Sequence, residues 1–244
     1  MNADTTEKMR KMKFYGMLRA FKMGLEAGRS EQYTPDEMVA HLIEAEWEDR
    51  HNRGIDRQLK NARFRYKAAM EDIFYHTDRN IDRNQLLRLA ECVFIDKHEN
   101  ILVTGSTGIG KSYLASALGH QACLLGYKVL YYNTTKLFSQ LKMAKGDGSY
   151  IKEINRIEKH SLLILDDFGI QTLDAQNRAV MMEIISDRHE KGSVIVTSQV
   201  PIANWYEVIG ETTVADAIMD RIIHAAHRIE MTGESLRKQK QILT

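Results

Sequence analysis

Residues Ile101 to Ser112 read ILVTGSTGIGKS, and no other stretch so narrows what this chain can fold into. An apolar, β-prone run, Ile101-Leu102-Val103, enters a turn in which Gly105, Gly110, Lys111 and Ser112 match the spacing G-x-x-x-x-G-K-[ST], with Ser106, Thr107, Gly108 and Ile109 between them. A helix-forming run beginning at Tyr113 leaves it. Strand, glycine-rich turn and helix in that order offer backbone N–H groups and a helix N-terminus to an anion. The lysine adds charge at the β/γ oxygens and the serine a ligand for Mg²⁺. Residues 105 to 113 are therefore the candidate nucleotide contacts, with Lys111 also a catalytic candidate and Ser112 a metal ligand.

The second signal is Leu162-Leu163-Ile164-Leu165-Asp166-Asp167. Four successive apolar residues suit a strand buried on both faces, which delivers two carboxylates at its C-terminal end beside the phosphate loop. Asp166 suits Mg²⁺, directly or through water, and Asp167 is placed to polarise an attacking water. The following Phe168-Gly169 creates a GTPase-like D-x-x-G, but no guanine-reading N-K-x-D or T-K-x-D follows, so ATP is the expected nucleotide. The same residues mimic a kinase D-F-G without a preceding H-R-D.

Further strands are expected at 128–132, at 193–199 and at 227–231, with helices between them. Ser193 to Gln199 ends in polar residues, so Ser198 or Gln199 is positioned to sense the γ-phosphate; a strand-ending hydrogen bonder without a ligand is the alternative. Alternation of this kind calls for an α/β fold with a parallel sheet and helices on both faces.

Upstream the pattern is helical throughout. Met9, Met12, Leu18, Phe21 and Leu25 recur at helical spacing from Thr5 to Gly28, where Gly28-Arg29-Ser30 ends the run. Thr34-Pro35-Asp36-Glu37 opens a second helix with a capping box. Arg50, Arg53, Arg57, Lys60, Arg63 and Lys67 then follow at steps of three or four. At 100° per residue they occupy one side of a helix about 25 Å long, a candidate DNA-binding surface. A solvated face, or one neutralised by the acidic residues just upstream, is the other reading. Tyr75 to Asn80 reads as a connector, which places a small all-α domain at residues 1–78 and the nucleotide domain at 79–244.

Composition excludes more than it selects. No apolar run approaches the roughly 18 residues of a membrane span, and the N-terminus carries no signal-peptide pattern. Two cysteines, Cys92 and Cys123, and two prolines leave no metal-ligand spacing, disulfide framework or Pro-rich linker, so the cytoplasm is the expected compartment.

Taken with Ala45-Glu46-Trp47-Glu48-Asp49-Arg50, Val196 to Pro201, Ala215 to Ile222 and Gly233 to Arg237, these motifs resemble the IstB-like ATPases. Those are insertion-sequence transposition helpers related to the DnaC and DnaI helicase loaders within the AAA+ superfamily. The resemblance spans nearly the whole chain and implies a P-loop AAA+ fold with a five-stranded parallel sheet and ATP sites formed between subunits. Arg221 would act in trans as an arginine finger, and Arg237 would be a second basic sensor near the nucleotide. It further implies a homo-oligomer on double-stranded DNA, a separate transposase as partner, and no membrane. Where the superfamily carries Asp-Glu, this chain has Asp166-Asp167, whose second carboxylate is a methylene shorter. A helicase loader and a nucleotide-gated scaffold with negligible hydrolysis are the competing functions.

Overall fold

The computed structural model describes residues 2–28, 33–75 and 79–236. Arg29, Ser30, the connector residues His76 to Asp78 and Arg237 lie outside the described residues. The chain divides into two compact units, Met1–Arg57 and Gln58–Thr244. That division falls earlier than the 78/79 boundary expected from sequence. Ala62, Ala68 and Ile73 are buried in the core of the second unit, so the segment carrying them belongs to it structurally.

The first unit holds helices α1 (Asn2–Lys11) and α2 (Tyr15–Glu26) and most of α3 (Pro35–Ala62). The single helix expected up to Gly28 is broken, because Lys13 takes a left-handed φ of 60°. The capping box forms at the start of α3, where Thr34 N donates to Glu37 Oε2 at 2.8 Å and Glu37 N donates back to Thr34 Oγ1 at 3.3 Å. The two helices meet at Gly16, where a Cβ would stand 2.1 Å from the Ala45 carbonyl oxygen. Glu46 of α3 accepts from the Gly16 and Met17 amides at 2.8 and 3.3 Å, satisfying N–H groups of the first turn of α2 that have no intrahelical partner.

In the second unit α4 (Arg83–Ala90) and the short α5 (Val93–Asp96) precede β1 (Asn100–Gly105). There follow α6 (Lys111–Leu124), β2 (Val129–Asn133), α7 (Thr134–Asp147), α8 (Tyr150–Glu158) and β3 (Leu162–Phe168). The rest is α9 (Ala175–Arg188), β4 (Ser193–Ser198), α10 (Trp205–Ile209), α11 (Thr212–Ile223) and β5 (Ala226–Met231). The strands form one parallel sheet in the order β2-β3-β4-β1-β5.

Alternation along each strand sends side chains to two cores. Leu102, Leu163, Leu165 and Val196 pack with α7 to α11, whereas Ile101, Val103, Leu162 and Ile164 pack with α4 to α6. Both cysteines are fully buried in the second core, and burial pushes each thiol up to about 12. This order sets β4 between β1 and β3, so the C-terminal ends of β3 and β4 lie on the side of the sheet where the loop after β1 emerges.

Candidate active site

The phosphate loop is tightly walled. Gly105 has φ 141°, and a Cβ there would lie 2.2 Å from the Met231 carbonyl oxygen of β5. Gly108, at φ 85°, leaves no room either, since a Cβ would lie 2.2 Å from Ser235 Oγ; Leu236 N donates to its carbonyl at 3.1 Å. Only glycine fits these close approaches. Lys111 opens α6 and folds back over the loop, its Nζ donating to the Gly105 and Ser106 carbonyls at 2.7 Å each. Burial pulls its ammonium below the ordinary lysine range, with Asp167 and Asp166 opposing that shift. A triphosphate would supply the negative charge this lysine lacks.

Other loop residues divide between structure and site. Ile109 is buried in the core, so only its backbone is available to a ligand. Thr107 Oγ1 donates to Gln199 Oε1 at 2.6 Å. Ser198 is fully buried and spent elsewhere, donating to the Phe168 carbonyl at 2.7 Å. Of the two sensing candidates, Gln199 is therefore the one touching the loop. Tyr113 leans on Tyr66, with ring centroids 6.1 Å apart.

Asp166 has no solvent exposure and is surrounded by donors. Ser112 Oγ donates to Oδ1 at 2.7 Å and Thr197 Oγ1 to the same oxygen; the Tyr131 hydroxyl and Arg65 Nη1, the latter at 3.2 Å, donate to Oδ2. Asp167 sits at the register shift between β3 and β4 with a left-handed φ of 61°, its amide donating to Thr197 Oγ1 at 3.1 Å. That irregularity turns its carboxylate toward Asn133 Nδ2 at 3.0 Å and Arg65 Nη1 at 2.9 Å. Hydroxyl and carboxylate oxygens are the donor set Mg²⁺ prefers, so Ser112 and Asp166 fit that ion, and the walled loop fits phosphate oxygens.

Sequence reasoning missed Arg65, Tyr131, Asn133 and Thr197. The last three stand at or near the C-terminal ends of parallel strands, where a ligand crevice is expected, and could have been found by that rule. Arg65 carried no such signal. Arg79 was missed as well: it is 7% exposed, its Nη1 would lie 3.9 Å from a Cβ on Gly110, and its Nη2 has no partner among the described residues.

The remaining candidates lie elsewhere. Arg221, on α11, donates from Nη1 to its own helix at Ala217 O, 2.7 Å away, while its carbonyl accepts from Asn100 at the start of β1. The phosphate loop is at the other end of that strand, about 16 Å on. The basic stripe is not one helical face. Arg50, Arg53, Arg57 and Lys60 lie on α3, but the helix ends at Ala62 because Arg63 turns to φ 59°, so Arg63 and Lys67 lie beyond it. Arg50 is paired with Glu46 at 2.6 Å and Arg53 with Asp49 at 2.5 Å, whereas Arg57, Lys60, Arg63 and Lys67 make no ion pair among the described residues.

A parallel sheet of this order, with a walled phosphate loop on its central β1 and an acid pair ending β3, defines a P-loop ATP-binding protein of the AAA+ type. The chain belongs to the family described as IstB-like ATP binding protein, which it matches over residues 7–244. It is 41% identical over 237 residues to an insertion-sequence ATP-binding protein of Sinorhizobium fredii, covering 97% of both chains. To the ATP-binding protein of insertion sequence IS21 from Pseudomonas aeruginosa it is 30% identical over 217 residues, 89% of this chain and 82% of that one. Among solved structures, DnaI is similar with a TM-score of 0.57 at 27% identity, covering 72% of this chain and 94% of that chain. Among the described residues, no helix is long and apolar enough to cross a membrane.

Proposed function

We propose that this protein is an ATP-dependent, DNA-binding helper of transposition that hydrolyses ATP, assembles on duplex DNA and presents target DNA to a separate transposase. The observation that carries the reading is the meeting of Ser112, Asp166 and Asp167 beside the loop that Lys111 closes. Ser112 and Asp166 would hold Mg²⁺, whose charge would offset that of the phosphates. Asp167 draws the proton from the water that attacks the γ-phosphorus, the bond to the bridging oxygen breaks, and ADP and phosphate leave. Arg221 of one subunit completes the site of the next, and Gln199 and Arg237 read the nucleotide. The kinship with insertion-sequence proteins supports the transposase as partner.

In this reading residues 1–78 carry the DNA- and partner-binding surface, and the ATPase comprises 79–244 together with the segment from Gln58 that packs into the same core. With Arg50 and Arg53 committed to carboxylates, Arg57, Lys60, Arg63 and Lys67 are the available phosphate contacts. Four contacts give a log affinity that falls with log salt at a slope of about −4. Anisotropy of a labelled duplex, titrated in ATP and in ADP over a salt series, measures this. Absence of binding in either nucleotide, or salt-insensitive binding, sinks the DNA reading. The likeness to DnaI keeps a helicase loader as the second reading, which capture of a replicative helicase in place of the transposase would favour.

A further inference from the structure

We propose that Arg65 is the resting counter-cation of the acid pair, and that Mg²⁺–ATP enters only by displacing it. A carboxylate has about four lone-pair sites, and all four on Asp166 are taken, by Ser112 and Thr197 at Oδ1 and by Tyr131 and Arg65 at Oδ2. Asp167 Oδ2 is shared between Asn133 and the same Arg65 nitrogen. A cation brought to this pair therefore finds one already there.

The four donors are not equally replaceable. Ser112 belongs to α6, and Tyr131 and Thr197 to buried strands, whereas the Arg65 side chain is 39% exposed and comes from the irregular segment after α3. Its backbone is anchored on both sides. The Phe64 ring meets Tyr131 edge-on at 6.3 Å and fills the space left by Gly119, where a Cβ would lie 2.5 Å from it; Tyr66 rests on Tyr113. Rotation of one side chain releases the acids without unfolding the segment. The Tyr66 ring, 5.5 Å from the guanidinium carbon, is already in contact with the departing group. Arg63 and Lys67 flank Arg65, so its release adds a third cation to that exposed segment whenever Mg²⁺–ATP is bound.

The inference rests on reading the site as one for Mg²⁺–ATP, and its test separates the two. A fluorescent ATP analogue is titrated into the full chain in EDTA and across a Mg²⁺ series, for wild type, Arg65→Ala and Arg65→Lys. A resting latch reduces apparent Mg²⁺ affinity by the fraction of molecules in which it is open. Arg65→Ala should lower the half-saturating Mg²⁺ about five- to tenfold and leave binding in EDTA unchanged. Arg65→Lys, a point charge without the planar fork, should fall between. An unchanged or raised Mg²⁺ requirement in Arg65→Ala overturns the proposal. Should Arg65→Ala lose binding even in EDTA, Arg65→Lys decides, a lowered requirement supporting the latch and a wild-type one refuting it. A wild-type protein that binds no analogue would instead refute the nucleotide site itself.

Discussion

Ser112 Oγ donates to Asp166 Oδ1 across 2.7 Å, joining the first turn of α6 to the end of β3. The two oxygens that suit a metal are thus aligned, with Asp166 held by Thr197 and Tyr131 from the strands on either side. Asp166→Asn keeps the shape but sets an NH₂ group against donors that now have one acceptor oxygen fewer. Turnover should fall about 10²- to 10³-fold, the scale of losing one preorganised electrostatic group. Nucleotide binding in EDTA, which depends on the loop and Lys111, should persist. Steady-state phosphate release alongside analogue binding checks both, and an Asn variant with wild-type turnover would remove Asp166 from the site.

The N-terminal unit hangs on Gly16. A methyl group there would lie 2.1 Å from Ala45 O and 2.6 Å from Glu46 Cα, both backbone atoms that no rotamer change can move. Gly16→Ala should therefore part α2 from α3 and break the Glu46 contacts to the Gly16 and Met17 amides, costing about 1–3 kcal/mol. Urea denaturation followed by segment-resolved hydrogen exchange should show the loss confined to Met1–Arg57. Unaltered protection of α2 would show that the helices do not need this approach.

What was readable in the sequence was local. The loop at 101–112 and the strand ending in Asp166-Asp167 declare themselves because their residues are contiguous, and Thr34 to Glu37 close their box within one turn. Arg65 meets Asp166 across 101 positions and Glu46 meets Gly16 across 30, and no periodicity reports such pairs. The basic stripe misled for a related reason. Its spacing continued past Ala62, while the backbone left the helix at Arg63 to bury Ala62 and seat Phe64 against Tyr131.

Acid should loosen the same N-terminal unit. Burial alone would raise Glu46, yet its bonds from Arg50 and from the Met17 and Gly16 amides outweigh burial and hold the carboxyl below its ordinary 4.5. Asp49 is likewise held below 3.8, burial being overcome by Arg19 and Arg53. A depressed carboxyl contributes stability that is complete above its unfolded value and lost as pH falls through the folded one. Glu46→Gln should thus be destabilised relative to wild type near neutral pH, with the gap between the two urea midpoints narrowing as pH falls below the ordinary 4.5 of the carboxyl. A gap that stays constant with pH would show that charge on Glu46 contributes nothing.

Arg221 bonds Asn100 through its carbonyl, at the opposite end of β1 from the phosphate loop, a strand length of about 16 Å away. If it serves the neighbouring site, Arg221→Ala should bind nucleotide as an isolated subunit and lose the assembly-stimulated part of hydrolysis, an effect of roughly 10³-fold or more for a finger of this kind. Lys111→Ala should be inactive for the separate reason that its own loop is crippled. Mixing the two variants then becomes diagnostic. Every site pairing an intact Lys111 with an intact Arg221 from the next subunit is whole, so the mixture should regain activity that neither variant has alone. A mixture as inactive as its components, or Arg221→Ala hydrolysing at the wild-type rate in full assemblies, would confine Arg221 to the helix contact with Ala217.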